Sequence, residues 1–461
     1  MATAPVLAFH GGVGTVTGSR FALETHQARV LVDAGLFQGL RELRRRNWDP
    51  PPFDPARLDA VVLTHAHLDH CGYLPRLARD GLAERVHASP YTSELAEIVL
   101  RDSAHLQEED ARYAAEKGFS KHAHPEPLYD TADVENVLRL FEPLPFGERR
   151  AIAEGVHATL HPAGHILGAS VAELEVDGRR VVFSGDLGRA NHPLMAPPGP
   201  PPAADVIVVE STYGNRRHEP DGHVLADAIR RTVQRGGSVL IPAFAVDRTE
   251  VLLQELRRLV RLGEIPDLPV WVDSPMALAA LEVYRRAVRE GSPELRDDVV
   301  RAGGDLFDPG RLREARSAEQ SMALNAPSVP CIVISASGMA SGGRVVHHLR
   351  AMLPDPRHTV VLVGYQAIGT RGRDLADGAT QLKMHGRYVP VRAEIAQAQA
   401  FSVHADGDEL IAWLASAPSA PDACYVVHGE PAASAALVQR IGAELGWLAV
   451  APRPGDRVRL D

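Results

Sequence analysis

Cysteine is nearly absent from this chain: Cys71, Cys331 and Cys424 are its three, far apart and in no CxxC pair. A disulfide framework is thereby set aside, and buried structural thiols in a reducing compartment are expected. Lysine is as scarce, at Lys117, Lys121 and Lys383, so the positive charge is almost all arginine, for which genomic base composition is the plain account. No apolar run approaches the ~18 residues of a membrane-spanning helix. The opening MATAPVLAFHGG has neither a basic region nor an apolar stretch of signal-peptide length. A cytoplasmic protein with no membrane partner is expected. An excess of positive charge is missing too. The net charge is −10 and the sequence pI about 6.1, against the pI above ~9 usual for a domain that holds nucleic acid by its overall field. Any nucleic-acid contact must therefore be local.

What is present is a chain of 461 residues, 45% apolar and 23% charged, with 21 histidines. That balance is ordinary for a soluble protein, and the length suits about two to three domains. Short strands are expected at 5–10, 20–25, 29–33 and 59–64, then a short helix in GYLPRLARDG closed by Gly81. Helical spacing follows over 91–117 and 131–141, around a loop, KGFSKHAHPEPLY. Strands return over 148–187, with Asp177-Gly178 as a hairpin turn, and DVIVVEST (205–212) follows a Pro-rich connection. Past Gly214 helices alternate with apolar strands, as in an open α/β sheet with parallel strands.

The chemistry is concentrated in THAHLDHCG (64–72), directly after the apolar run VVL. His65 and His67, two apart on an extended segment, point to one side and can clamp a zinc ion, and Asp69 and His70 can face a second. Four side chains do not complete two sites. Others stand at later strand ends: His165 in PAGHILGA, Asp186 in FSGD and His428 in YVVHGE. Each alone could equally be a structural hydrogen-bonding group; beside HxHxDH they are expected ligands.

Asp33 in LVDAG, the HAHLDH stretch, the GH of PAGHILGA and the SGD of 184–186 fall in the order of the metallo-β-lactamase signature series, and the chain resembles that superfamily. The resemblance implies an α/β fold of αββα type. One zinc would be held by His65, His67, His165 and Asp186, the other by Asp69, His70, His428 and the bridging Asp186, with Asp33 behind the ligands. Manganese can substitute for zinc in such sites. Glu210 in VVESTYGNR, His404 in FSVHAD and His428 further resemble the β-CASP ribonuclease family, which inserts an α/β domain. The implied domains are 1–212 (metallo-β-lactamase, first part), 213–392 (β-CASP) and 393–461 (metallo-β-lactamase, second part). Histidine at 428, where the DNA-repair members usually hold valine, resembles the RNA-processing members. The chain ends without the further C-terminal domain of ribonuclease J, so the compact RNA-degradation nucleases are the nearer expectation. KHAHPEP, where close relatives tend to read KHKP, is a small departure.

The reaction the resemblance implies is hydrolysis of single-stranded RNA that leaves 5′-phosphate and 3′-hydroxyl ends, with endonucleolytic cleavage the first expectation and 5′-exonuclease activity, alone or alongside, the open alternative. Asp69, Asp186, Glu210 and His404 are the candidate catalytic residues. His404 is the candidate general acid, its ring oriented by Glu210. Two Gly/Ser-rich loops, with Ser335, Ser337 and Gly338 in one and Gln366, Gly369, Thr370 and Arg371 in the other, suit phosphate, or are simply tight turns. RELRRRNW (41–48) is a basic patch or a solvated face. Hydrolysis of a small ester or thioester, cleavage of DNA, and a non-catalytic scaffold are the competing readings, and a homo-oligomer is compatible with all of them.

Overall fold

The computed structural model describes residues 4–117, 124–218 and 223–461; Lys121 and His122 of the KHAHPEP stretch, and the expected helix start at 221, lie outside the described residues. The chain divides into two units: the residues up to Gln38 with Glu42–Arg217 and His404–Asp461, and Gly39–Arg41 with His218–Val403.

The first unit is built on two seven-stranded sheets. One runs, in spatial order, Arg457–Arg459, Val6–Gly11, Arg20–Glu24, Arg29–Val32, Ala60–Val62, Val86–Ala88 and Phe141–Pro143. The other runs Ala449–Val450, Ala423–Val427, Val206–Glu210, Arg179–Phe183, Ser170–Val176, Val156–Pro162 and Arg150–Ala153. Their alternating apolar faces meet in one core, where Phe9, Phe21, Leu23, Val32 and Val62 pack with Leu160, Leu174, Val181, Phe183 and Val208. Two sheets with apolar inner faces can bury them only against each other, which makes a sandwich. Helices Pro90–Lys117 and Thr131–Leu138 belong to the side of the first sheet, and Pro431–Arg440 lies against Ala423–Val427 of the second. The Asp177-Gly178 turn joins its two strands with both residues at positive φ, 48° and 78°. The helix expected over 131–141 stops at Leu138, because Phe141–Pro143 pairs in parallel with Val86–Ala88 and Pro143 cannot continue a helix.

The second unit is an α/β layer. Its six strands lie in the order Leu312–Glu314, Val270–Val272, Ile332–Ser335, Val239–Pro242, Thr359–Leu362 and Glu394–Gln397. All their pairings are parallel. Buried on both faces, the inner strands Ile332–Ser335, Val239–Pro242 and Thr359–Leu362 read as apolar runs rather than alternating ones, whereas the edge strands Leu312–Glu314 and Glu394–Gln397 are short and polar. The edge strand Glu394–Gln397 pairs with Thr359–Leu362, so the chain stays in this unit beyond the boundary expected at 392. A separate hairpin, Gln381–Met384 with Arg387–Pro390, completes it.

Candidate metal centre

In the first unit the polar side chains singled out above stand where strands end. Asp33 follows Arg29–Val32, and His65 follows Ala60–Val62. His165 follows Val156–Pro162, Asp186 follows Arg179–Phe183, Glu210 closes Val206–Glu210, and His428 follows Ala423–Val427. Parallel pairing brings these ends to a common edge: Val32 lies beside Val62, and Glu210 beside Val427. The turn carrying His65 to His70 is clamped from below. Asp69, His70 and Leu68 carbonyls accept from the backbone N–H of Ser19, Ala34 and Leu36 at 2.7–2.9 Å. Arg20, buried and stacked 3.6 Å over Tyr73, donates Nε and Nη2 to the Gly35 carbonyl. Asp69 and His70 sit on a short helix, Leu68–Cys71, that begins just after His67.

Two sets of ligand-type atoms result. His67 Nδ1 is 3.1 Å from His65 Nε2 and 3.4 Å from His165 Nε2, and Asp186 Oδ2 is 3.4 Å from His65 Nε2 and 3.7 Å from His165 Nε2. A tetrahedron with edges of that length has its centre roughly 2 Å from each corner, which is the Zn–N and Zn–O distance. The second set is Asp69, His70 and His428: His70 Nε2 is 3.1 Å from His428 Nε2, and Asp69 Oδ2 is 3.6 Å from His428 Nε2. Asp186 joins the two, since its Oδ1 lies 3.3 Å from His70 Nε2. The donor atoms of each set lie within 4.8 Å of one another. Three imidazoles plus a carboxylate, and two imidazoles plus two carboxylates, fit zinc.

The electrostatics hold His65, His67, His165 and Asp186 in metal-binding form, whereas His70 must give up a proton to join them. Burial, then the neighbouring imidazoles, drives His65 and His165 well below 6.5, and burial lowers His67 to about 4, so their lone pairs are available at neutral pH. Burial raises the carboxyl of Asp186, but His428, His70 and His65 outweigh it and keep Asp186 ionised. Burial likewise pulls His70 down, yet Asp186 and Asp33 on its two sides hold it well above 6.5. Its Nδ1 faces Asp33 Oδ2 at 2.7 Å, which turns Nε2 toward Asp186 and His428. A carboxylate behind a ligating imidazole fixes its tautomer.

Two threonines, not singled out in the sequence, do similar work. Thr64 Oγ1 contacts both oxygens of Asp33 and lies 3.1 Å from His65 Nδ1. Thr212 Oγ1 lies 3.1 Å from His428 Nδ1. The available signal was their place next to motif residues, in THAH and EST. Asp33 and His428 are also two of the non-glycine residues at positive φ, 58° and 47°, a strained conformation that their surroundings must hold.

Glu210 is fully buried and fastened by backbone amides: Leu187 N donates to Oε1 at 2.6 Å and Thr212 N to Oε2 at 3.3 Å. Half-buried His404 places Nδ1 3.3 Å from Glu210 and 3.9 Å from Asp186 Oδ2. A pair so arranged can store and move a proton at the rim of the cluster.

The expected phosphate loops lie in the second unit and are tied together. Gln366 Nε2 donates to the Gly338 carbonyl, and Gly372 N to the Met339 carbonyl. Their polar side chains are largely engaged inside the fold. Ser335 Oγ donates to the Asp273 carbonyl, Ser337 Oγ accepts from Ser341 N, and Thr370 caps the helix Arg371–Ala376. Arg371 donates to the carbonyls of Ala340, Ser341 and Lys383, and Gly369 takes φ 82°. What these loops still offer an anion is therefore chiefly backbone N–H. In RELRRRNW, Arg46 folds back over Phe37 onto the His10 carbonyl, whereas Arg44, Arg45 and Trp48 are exposed.

A sandwich of two mixed sheets with imidazoles and carboxylates converging at its strand ends defines a metallo-hydrolase. The comparisons narrow that class. Residues 14–217 match the metallo-beta-lactamase superfamily, 249–375 the Beta-Casp domain, and 388–452 the Zn-dependent metallo-hydrolase RNA specificity domain. The chain is 37% identical over 423 residues to Ribonuclease TTHA0252 of Thermus thermophilus, covering 91% of this chain and 92% of that one. It is 30% identical to an RNase J-like protein of Methanocaldococcus jannaschii, covering 92% of each. It is also 30% identical to Transcription termination factor FttA of Pyrococcus horikoshii, covering 98% of this chain and 70% of that protein. A crystal structure of a protein of unknown function from Enterococcus faecalis shares the fold, with a TM-score of 0.53 at 14% identity over 99% of this chain and all of that one. The chain belongs to the β-CASP ribonuclease family of the metallo-β-lactamase superfamily.

Proposed function

We propose that this chain is a two-zinc ribonuclease that hydrolyses phosphodiester bonds of single-stranded RNA, endonucleolytically and from the 5′ end, leaving 5′-phosphate and 3′-hydroxyl termini. The observation that carries this reading is the His404–Glu210 pair beside Asp186. A departing 3′-oxygen needs a proton, and an imidazole steadied by a buried carboxylate at the rim of the cluster is placed to give one. RNA is favoured by the RNA specificity match over 388–452, a span that includes both His404 and His428.

His65, His67, His165 and Asp186 would hold one zinc, and Asp69, His70, His428 and Asp186 the other. Bound there, zinc supplies Lewis acidity toward the phosphate and a water that is nucleophilic near neutral pH. The protein's own atoms do the rest. Asp33, Thr64 and Thr212 fix the ligand rings from behind. The Asp69 and Asp186 carboxylates accept hydrogen bonds from the incoming water. Glu210 holds His404 with Nδ1 inward, leaving Nε2 as the atom that passes a proton to the leaving oxygen. General acid catalysis of this kind contributes about 10²–10⁴-fold.

One RNA labelled at its 5′ end and internally, incubated with zinc-loaded protein beside His404→Ala, tests this. Internal fragments from the wild type, slowed by about 10²–10⁴-fold in the variant at unchanged zinc content, are expected. Release of mononucleotides alone would restrict the activity to a 5′-exonuclease. If neither protein cuts RNA while both hold two zincs, the ribonuclease reading fails.

A further inference from the structure

The second unit carries a two-stranded ribbon whose exposed side chains include a lysine, an arginine and a tyrosine. Strands Gln381–Met384 and Arg387–Pro390 pair antiparallel, with Leu382 opposite Val389 and Lys383 opposite Tyr388. Leu382, Met384 and Val389 are buried in the core with Leu349, Leu353 and Leu375. Strand alternation turns the other pair outward: Lys383 is exposed, and Tyr388 keeps 66% of its surface in water. His385 and Gly386 make the turn, both at positive φ, 45° and 77°, the backbone that a tight two-residue hairpin needs. The His385 ring lies 4.8 Å from that of His347 on the helix Arg344–Met352. Arg350 follows one turn along that helix and is also exposed.

The charge here is one-sided. Burial lowers both imidazoles, and the groups that add to it are cationic: His348 and Arg350 for His347, and His347, Arg350 and Arg371 for His385. Among the described residues, no carboxylate opposes them, and Arg350, Lys383 and Arg387 have no acidic partner. Other arginines of the same unit, Arg344, Arg357 and Arg373, are paired with Asp273, Asp355 and Asp377. In a chain of net charge −10, uncompensated cations at one hairpin, Lys383 beside the outward Tyr388 and Arg387 and Arg350 near the turn, complement a polyanion with stackable bases. Sequence-tolerant single-strand binders combine these two elements: cations that follow the backbone and an aromatic ring on which a base stacks.

We propose that this hairpin is a binding surface for single-stranded RNA, with Tyr388 stacking a base, Lys383 beside it contacting one phosphate, and Arg387 and Arg350, exposed near the turn, contacting the phosphates that follow. The proposal rests on the ribonuclease reading and adds a place where the substrate is held. It makes turnover of an RNA chain depend on residues that play no part in the chemistry, through KM rather than kcat.

The test uses the full zinc-loaded chain. In a His404→Ala background, binding of a ~16-nucleotide oligouridylate is measured against salt for the parent, Lys383→Ala/Arg387→Ala, Tyr388→Ala and Tyr388→Phe. The double variant is expected to bind about tenfold more weakly, with a log–log salt slope shallower by about 1.4, two phosphate contacts at ~0.7 each. Tyr388→Ala is expected to lose roughly tenfold at an unchanged slope, and Tyr388→Phe, which keeps the ring, to retain binding. With His404 restored, each variant hydrolyses bis(p-nitrophenyl) phosphate, a diester with no chain to lie on the hairpin, at the wild-type rate. RNA affinity and slope unchanged in every variant, with the parent binding normally, would overturn the proposal and leave the ribonuclease reading standing. A parent that neither binds nor, with His404 restored, cuts RNA would remove both.

Discussion

An imidazole that turns one nitrogen toward a cation leaves the other on the far side, and the partner there decides which nitrogen carries the proton. For His70 that partner is Asp33, at 2.7 Å. For His65 and His428 it is a threonine hydroxyl, Thr64 and Thr212, each at 3.1 Å. A hydroxyl can donate or accept, so Thr212 alone does not set the tautomer of His428; it sets the ring's angle and removes an unsatisfied buried nitrogen. Thr212→Val keeps the shape and deletes the hydroxyl. Losses of 10–100-fold in metal affinity or activity are typical when such a partner is removed. We expect a zinc titration of Thr212→Val to show one of two sites weakened by at least ~10-fold, with Thr212→Ser close to wild type. Affinities unchanged from wild type at both sites in Thr212→Val would show that the hydroxyl does not steady His428.

At the scale of elements, the metal edge depends on how closely turns can approach one another. A Cβ at Gly35 would lie 1.6 Å from the Asp69 carbonyl oxygen, backbone against backbone, so neither side can yield by rotating a side chain. Gly178, in the outer hairpin, would meet nothing within 4 Å and carries only its positive φ of 78°. Gly35→Ala is therefore expected to cost about 3 kcal/mol or more and to reduce zinc content, and Gly178→Ala about 1–2 kcal/mol with zinc unaffected. Urea melts with metal analysis check both, and equal costs would contradict the tight packing at Gly35. The sequence made some of this visible and not the rest, for physical reasons. VVLTHAHLDH shows a buried run breaking into ligand-type residues, and Asp177-Gly178 carries the φ its turn requires, so both are local. The neighbours of Val206–Glu210 are not. It lies between Arg179–Phe183 and Ala423–Val427, and the second of these is more than two hundred residues away along the chain. No local spacing announces that pairing, although it places Glu210 next to the strand that ends at His428. Leu312–Glu314 and Glu394–Gln397 are too short and too polar to show a period. The Gln381–Pro390 ribbon is turned by His385-Gly386, where His385 adopts a backbone that usually signals itself by asparagine, aspartate or glycine.

At the scale of the molecule, a net charge of −10 opposes any RNA chain at long range, so the proposed capture of RNA would rest on local cations and on the metal centre. The same surplus of acid bears on stability. The first unit gathers Asp33, Asp69, Asp186 and Glu210 with His65, His67, His70, His165 and His428 at a largely buried edge, His67 and Asp69 being half-buried, from segments that the chain order separates. In the folded chain these groups repel or share protons pairwise; in the unfolded chain they are dispersed and hydrated. A cation bound only by the folded arrangement adds RT ln(1 + [L]/Kd), about 4 kcal/mol when free metal stands ~1,000-fold above Kd. At roughly 2–4 °C per kcal/mol for a domain of about 150–250 residues, removal of zinc by a chelator is expected to lower the melting temperature by roughly 10 °C, reversibly on adding zinc back. The candidate ligands all belong to the first unit, so if calorimetry resolves two transitions, only the one containing that unit is expected to move. Asp186→Asn, which takes the shared carboxylate from both sets, is expected to melt at one temperature with or without chelator. A chelator shift of the same size in Asp186→Asn as in the wild type would mean that Asp186 does not hold the metal. A shift confined to the other transition would place the bound metal in the second unit.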